Sequence, residues 1–182
     1  MKGTELHSDR LRLRLISLTD LAVIHELHSL PETDAYNTLG IPNNIDQTRG
    51  IITAWIYENL SKTPRQITWA IEHKSDAAFI GLIALKPGNE KFKSAEVWYK
   101  LHVNHWGKGY ATEALKTLIN YGFDVLGLHR IEAGSAVNNI GSIRVLEKAG
   151  MTREGQKRKV LPLKTGWSDN YEYAILETDL RD

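Results

Sequence analysis

The segment "HWGKGYATEA", residues 105–114, sets Gly107 and Gly109 on either side of Lys108 and places Ala111 two positions on, where a helical pattern begins. A phosphate needs three things of a protein turn: converging backbone N–H groups, little side-chain cover, and a helix N-terminus behind them. These small residues supply all three. A pair of glycines that only permits a tight strand-to-helix connection is the alternative, and a short G-x-G leaves it open. Two rival phosphate motifs fail on spacing. A P-loop requires a Gly-Lys pair followed by Ser or Thr, and here Lys108 is followed by Gly109. The dinucleotide fingerprint G-x-G-x-x-G requires glycine or alanine where Thr112 stands, and a place near the start of a βαβ unit.

The elements that must position this turn are read from apolar periodicity. "SAEVWYKLHV" before it reads as a strand. After it, from Gly109 to Leu126, the residues Ala111, Ala114, Leu115, Leu118, Gly122 and Val125 mark one stripe of a helix ending near Gly127. Upstream, "DRLRLRLI" alternates Arg10, Arg12 and Arg14 with Leu11, Leu13 and Leu15, the period of a strand with one buried face. A first helix follows, with Thr19 or Asp20 as N-cap and Leu21, Ile24, Leu27 and His28 on one face. Pro31 and Pro42 bracket a loop, and "QTRGIITAWIYENL" reads as a second helix with Ile52, Trp55, Ile56 and Leu60 in line. "QITWAIEH" and "FIGLIAL", joined by "KSDA", suggest a hairpin. "RIEAGSAV" is a further strand, and "NNIGSIRVLEKAG" a short helix capped by Asn and stopped at Gly150. The remainder reads as two strands joined by a long basic loop, "REGQKRKVLPLK". The order is neither an alternating doubly wound fold nor a bundle. A mixed sheet with helices on both faces is expected, in one domain spanning residues 1–182.

Composition narrows the chemistry. The 182 residues carry 23 Lys and Arg against 22 Asp and Glu, too even a balance to gather nucleic acid or an anionic membrane through a general field. With no cysteine, disulfides, thiolate metal sites and a nucleophilic thiol are excluded. The start has no apolar signal region and the longest apolar run, "AAFIGLIAL", is too short for a membrane span, so a cytoplasmic protein with no nucleic-acid or membrane partner is expected. His25 with His28, and His102 with His105, could be read as metal pairs, but no third and fourth ligands stand at sensible spacing, and no metal is expected.

Taken together, "AEVWYKLHVNHWGKGYATEAL" and "NNIGSIRVLEKAGM" resemble the GNAT superfamily of acetyl-CoA-dependent N-acetyltransferases, in particular its RimJ/RimL-like branch. "SDRLRLR" and "WAIEHKSDAAFIGLIAL" resemble that branch's first strands, so the similarity runs along nearly the whole chain. The resemblance implies a mostly antiparallel sheet of about seven strands, flanked by about four helices and splayed between the fourth and fifth strands. It lays the signature Q/R-x-x-G-x-G/A on Trp106, Gly107, Lys108, Gly109, Tyr110 and Ala111, with Trp106 departing from Gln or Arg. The amides of Gly107 through Thr112 would then bind the coenzyme's pyrophosphate. The strand at Leu101, His102 and Val103 would pair with the pantetheine arm in the splay. Asn139 would hydrogen-bond the pantetheine amides, with helix capping as its alternative role, and Ser142 would lie near the sulfur.

The implied reaction is direct acetyl transfer to a primary amine, and its requirements differ with the acceptor. At pH 7 roughly one α-amine in seven is neutral, against roughly one lysine in 2,500. Glu96, on the strand before the turn, matches where related enzymes place a carboxylate that draws the proton off, an outward-facing strand glutamate being the alternative. A backbone N–H near Val103 would polarise the thioester carbonyl. Many relatives carry a tyrosine seven residues after the motif Asn to protonate the departing thiolate, but here that position is Leu146. Ser142 is the candidate replacement, with Tyr110 and Tyr173 behind it. Trp55, Trp69, Trp98 and Trp167 either line an acceptor cleft or pack the core. The branch favours the α-amine of a protein N-terminus, of ribosomal-protein type, over polyamines and aminoglycosides. A domain that binds acyl-CoA without transfer is the reading from another class, and a homodimer is compatible with either.

Overall fold

A computed structural model describes residues 5–181. One sheet of eight strands runs in the order β1-β2-β3-β4-β5-β6-β8-β7. Its strands are β1 (Leu6–His7), β2 (Leu11–Leu15), β3 (Ile67–His73), β4 (Phe79–Pro87), β5 (Ser94–Leu101), β6 (Arg130–Ala136), β7 (Thr152–Leu163) and β8 (Gly166–Leu176). Every neighbouring pair is antiparallel except β5 with β6. Among the described residues five α-helices accompany it: α1 (Leu21–Ser29), α2 (Pro31–Asp34), α3 (Ile45–Leu60), α4 (Tyr110–Asp124) and α5 (Ile140–Lys148). This is the expected mixed architecture with one short strand and one short helix more. The two-residue β1 is too brief to show a period. The loop expected between Pro31 and Pro42 opens with α2 because Pro31 occupies its first turn, where a missing N–H costs nothing.

Alternation in β2 sorts the two faces of the sheet. Leu11 and Leu13, fully buried, join a core with Trp69, Ile83, Leu115, Leu118 and Leu146 beneath α4 and α5. Arg12 and Arg14 project to the other face, where both bond the buried carboxylate of Glu72 and Arg14 also bonds Asp20. Burial alone would raise the Asp20 carboxyl; the Arg14 and Ser17 hydrogen bonds outweigh it and hold the group below the usual range. Asp20 occupies the N-cap position of α1, its carboxylate held by Arg14 and Ser17 and not by the helix, and the expected face of Leu21, Ile24, Leu27 and His28 is buried. They pack with Ile52 of α3, Ala70 and Leu82 into a second core, with Trp55 and Trp98 partly buried against it.

Three sequence expectations are corrected. Leu60 is 75% exposed, and Asn59 faces the sheet instead, accepting from Thr68 N–H at 2.8 Å and donating to its carbonyl at 2.9 Å. Val125 lies past the end of α4 and is exposed, while Tyr121 takes the buried position. The basic segment 153–164 is mostly β7 itself, an edge strand exposed almost throughout and joined to β8 by a tight turn. A strand open on both faces has no apolar alternation to announce it.

Candidate active site

Parallel pairing of β5 with β6 covers three positions, Ser94 with Arg130, Ala95 with Ile131 and Glu96 with Glu132. Beyond Glu96 the strands part. The Val97 N–H closes the last rung on the Glu132 carbonyl; after it β5 continues against β4 and β6 against β8, so the stretch up to Leu101 has an open edge. Since His102 N–H donates to Ile80 C=O on β4 at 2.9 Å, strand alternation turns the backbone groups of Lys100 and Trp98 the same way. Those of Tyr99 and Leu101 therefore point into the gap. Of the expected stretch Leu101, His102 and Val103, Leu101 alone is a strand residue with its backbone turned to the gap. His102 is turned to β4, and Val103 lies outside the strand, opening the 3-10 turn Val103–His105 that His102 caps through its ring. The backbone left without a β6 partner is that of Tyr99 and Leu101.

The chain then bends through Trp106, whose indole Nε1 donates to the Leu101 carbonyl at 2.8 Å and folds the loop back on the strand end. That contact is what tryptophan contributes at the position where the signature has Gln or Arg. Gly107 and Gly109 have φ of +73° and +81°, in the left-handed region open to glycine at little cost. Gly109 is the N-cap of α4, so the turn leads straight into the first free N–H groups of that helix. Gly107, Lys108 and Gly109 are exposed, Tyr110, Ala111 and Thr112 half-buried, and nothing lies within 4 Å of where a Cβ on Gly107 would be. The backbone of this turn is left without side-chain cover at a helix N-terminus, the combination a phosphate needs.

This turn is held by a residue that periodicity presented only as an outward strand arginine. The Arg10 guanidinium donates to the Lys108 carbonyl at 3.1 Å, grips Glu113 at 2.7 Å, and lies 4.6 Å from the Tyr110 ring centroid. Glu113 also accepts from Arg10 N–H at 2.8 Å and from Ser8 Oγ at 2.7 Å. Burial acts to raise the Glu113 carboxyl, but these hydrogen bonds and the Arg10 charge hold it below its ordinary value.

Across the gap, Asn139 caps α5, its Oδ1 accepting from Ser142 N–H at 3.2 Å. The capping role is therefore real. Ser142 Oγ is 2.9 Å from the Tyr99 hydroxyl, a link from the open stretch of β5 to the first turn of α5. Burial raises the Tyr99 phenol to about 12. Leu146 is 1% exposed, inside the core, so nothing at that position reaches the gap. Of the two tyrosines held in reserve, Tyr110 belongs to the glycine turn, and Tyr173 is buried with its hydroxyl toward Glu147 at 3.3 Å.

Glu96 stands at the last paired position of β5, exposed and 3.7 Å from Lys86. Ala95, Val97 and Leu101 pack under α4 and α5, with Tyr99 partly buried beside them, so Glu96, Trp98 and Lys100 project to the opposite face. Glu96 and Ser142 thus approach the gap from opposite sides of the sheet. On the Glu96 side Trp98 lies 5.5 Å from Trp55, and buried Lys100 reaches His28 Nδ1 at 3.1 Å. Burial lowers Lys100 to about 8, and burial with the Lys100 charge lowers His28 to about 3. Trp69 is core, and Trp167 is 62% exposed on β8. His25 bonds Thr48, and among the described residues no group of three or more His, Asp or Glu could hold a metal. No helix of the described residues is long and apolar enough to cross a membrane.

Sequence comparison agrees with this geometry. The profile of the acetyltransferase (GNAT) domain matches residues 10–152. The chain is 32% identical over 174 residues, 96% of its length and 97% of the relative's, to the uncharacterized N-acetyltransferase p20 of Bacillus licheniformis. It is 26% identical over 171 residues, 94% of its length and 95% of the relative's, to spermidine N(1)-acetyltransferase of Vibrio cholerae. The crystal structure of a GNAT-family acetyltransferase from Bacillus anthracis superposes with a TM-score of 0.84 at 28% identity, covering 96% of this chain and 99% of that one.

Proposed function

Because the chain belongs to the GNAT acetyltransferase family and is an acetyl-CoA-dependent N-acetyltransferase, we propose that its acceptor is the α-amine of a protein N-terminus, as in the RimJ/RimL-like branch it resembles. The carrying observation is the character of the β5 face that the acceptor meets. Glu96 is solvent-facing, with Lys86 3.7 Å from it. It suits a nucleophile that is already neutral in roughly one copy in seven at pH 7, as an α-amine is. Further along the same face, buried Lys100 adds positive charge to the wall that a polycation would have to approach.

In this reading the amides of Gly107 to Thr112 and the α4 N-terminus hold the pyrophosphate. The open edge at Tyr99 and Leu101 pairs with the pantetheine arm, and one of its N–H groups polarises the thioester carbonyl. Asn139 lines the gap while capping α5, Ser142 faces the sulfur, and Glu96 draws the proton from the acceptor nitrogen, directly or through water. With no cysteine to carry the acetyl group, transfer is direct. Small polyamines are the second reading, favoured by the 26% identity to the spermidine enzyme across 94% of the chain.

The test is thiol release from acetyl-CoA with short peptides whose α-amine is free or blocked, alongside spermidine. Release with free peptides alone supports the proposal. Release with spermidine and not with peptides replaces it with the second reading.

A further inference from the structure

We propose that Tyr99 is the positioning residue for Ser142, its hydroxyl aiming the serine hydroxyl at the sulfur that leaves during transfer. The inference rests on the reading that Ser142 faces that sulfur. It begins from a problem in α5. Leu146 is sealed in the core, so the helix has no phenol to offer the gap. The structure has one from the opposite side. Tyr99 lies on the open stretch of β5, and its side chain crosses to the first turn of α5, with its oxygen 2.9 Å from Ser142 Oγ and 3.3 Å from the Ser142 carbonyl.

A serine hydroxyl has one hydrogen and two lone pairs, and its rotor turns freely unless a neighbour fixes it. When Tyr99 donates to Ser142 Oγ, that oxygen has accepted its bond and its own hydrogen is free to be donated elsewhere. Burial keeps the phenol protonated across the working pH range, so Tyr99 remains a donor and is not consumed. In a variant without the phenol oxygen, Ser142 loses the partner that fixes its rotor.

The chemistry balances without ionising either residue. The acceptor nitrogen forms a bond to the acetyl carbon and the carbon–sulfur bond breaks, its electron pair leaving on sulfur. The nitrogen gives up one proton and the sulfur finally binds one, so the products are an amide and a thiol. Ser142 contributes a hydrogen bond to the sulfur as its charge grows, and Tyr99 fixes the direction of that bond.

The experiment is a double-mutant cycle of Tyr99→Phe and Ser142→Ala, read as kcat and KM for acetyl-CoA. Tyr99→Phe is expected to lower kcat roughly tenfold, below the ~100-fold or more seen on deleting a direct donor, with KM changed less than twofold. In the Ser142→Ala background the same substitution is expected to do nothing more, because its effect passes through that hydroxyl. A merely structural role would lower kcat by the same factor in both backgrounds and overturns the proposal, as does a Tyr99→Phe enzyme within twofold of wild type. The cycle is run with a peptide α-amine and also without acceptor, as slow thiol release to water. A wrong acceptor assignment abolishes only the first signal. The coupling between the two residues appears in the second regardless.

Discussion

Arg10 and Glu113 clasp one another across 103 positions of sequence, and between them they hold both ends of the glycine turn. The guanidinium reaches the Lys108 carbonyl on one side of Gly109 and the α4 carboxylate on the other. Without the Arg10 guanidinium, the turn loses a strut and the Glu113 carboxylate, still bonded by Ser8 Oγ and the residue-10 N–H, is left with no cation beside it in the first turn of α4. Arg10→Gln is expected to weaken acetyl-CoA binding about fivefold, the equivalent of ~1 kcal/mol for a partly exposed charge pair. Adding Glu113→Gln should recover part of that loss by removing the unpaired charge. Calorimetric titration of the two variants decides it; unchanged affinity in Arg10→Gln would show that the clasp does not shape the site.

Glu96→Gln keeps the size of the side chain and removes its basicity. Turnover near pH 7 is expected to fall at least tenfold, within the range of a lost general base, while acetyl-CoA still raises the melting temperature as in the wild type. Turnover that survives the substitution would return Glu96 to the role of an outward strand residue paired with Lys86.

Acid should act on the molecule through His28. Its folded-state value is about 3 against an ordinary 6.5, so the unfolded chain takes up the proton first. The contribution of the neutral ring is complete above pH 6.5 and is lost as the pH falls toward 3. His28→Gln retains an acceptor for Lys100 and does not titrate in this window. Melting temperatures measured at several pH values from 6.5 to 4 should decline less steeply in that variant, and parallel curves would refute the assignment.

Lys100 should show itself at alkaline pH. Burial sets it at about 8 in the folded chain, against 10.5 ordinarily, so from pH 8 to about 10 the unfolded state holds more protons and stability rises with pH. Below pH 8 the buried ammonium costs stability. In Lys100→Met the rise between pH 8 and 10 should disappear, as read by urea unfolding. A rise that persists would have to come from another group.

Residues whose neighbours in sequence are also their neighbours in space were the legible ones. The leucines of β2, the α1 face and the glycines of the turn each carry a local period or spacing that survives folding. Contacts between distant segments were not. Nothing local distinguishes Tyr99 from Val97 on the same inward row, until α5 brings Ser142 beside it from 43 positions away. Arg10 fits the outward row of β2 and becomes a strut only when α4 packs there. Val103 continues an apparent strand pattern, yet the chain turns at His102, because the Trp106 indole takes the Leu101 carbonyl and draws the loop back.

The short seam between β5 and β6 also sets how fast individual amides trade hydrogen for deuterium. Along β5 and just past it, Trp98, Lys100 and His102 direct their N–H groups to β4, and Val97 directs its own to Glu132 of β6 in the last rung of the parallel pairing, while Tyr99 and Leu101 direct theirs into the gap, without a β6 partner. One strand should therefore carry an alternating protection record, slow and fast by turns, in the free protein. Binding of acetyl-CoA would slow the fast set alone. The stripe is a fingerprint of an interrupted ladder, readable residue by residue without any knowledge of the acceptor.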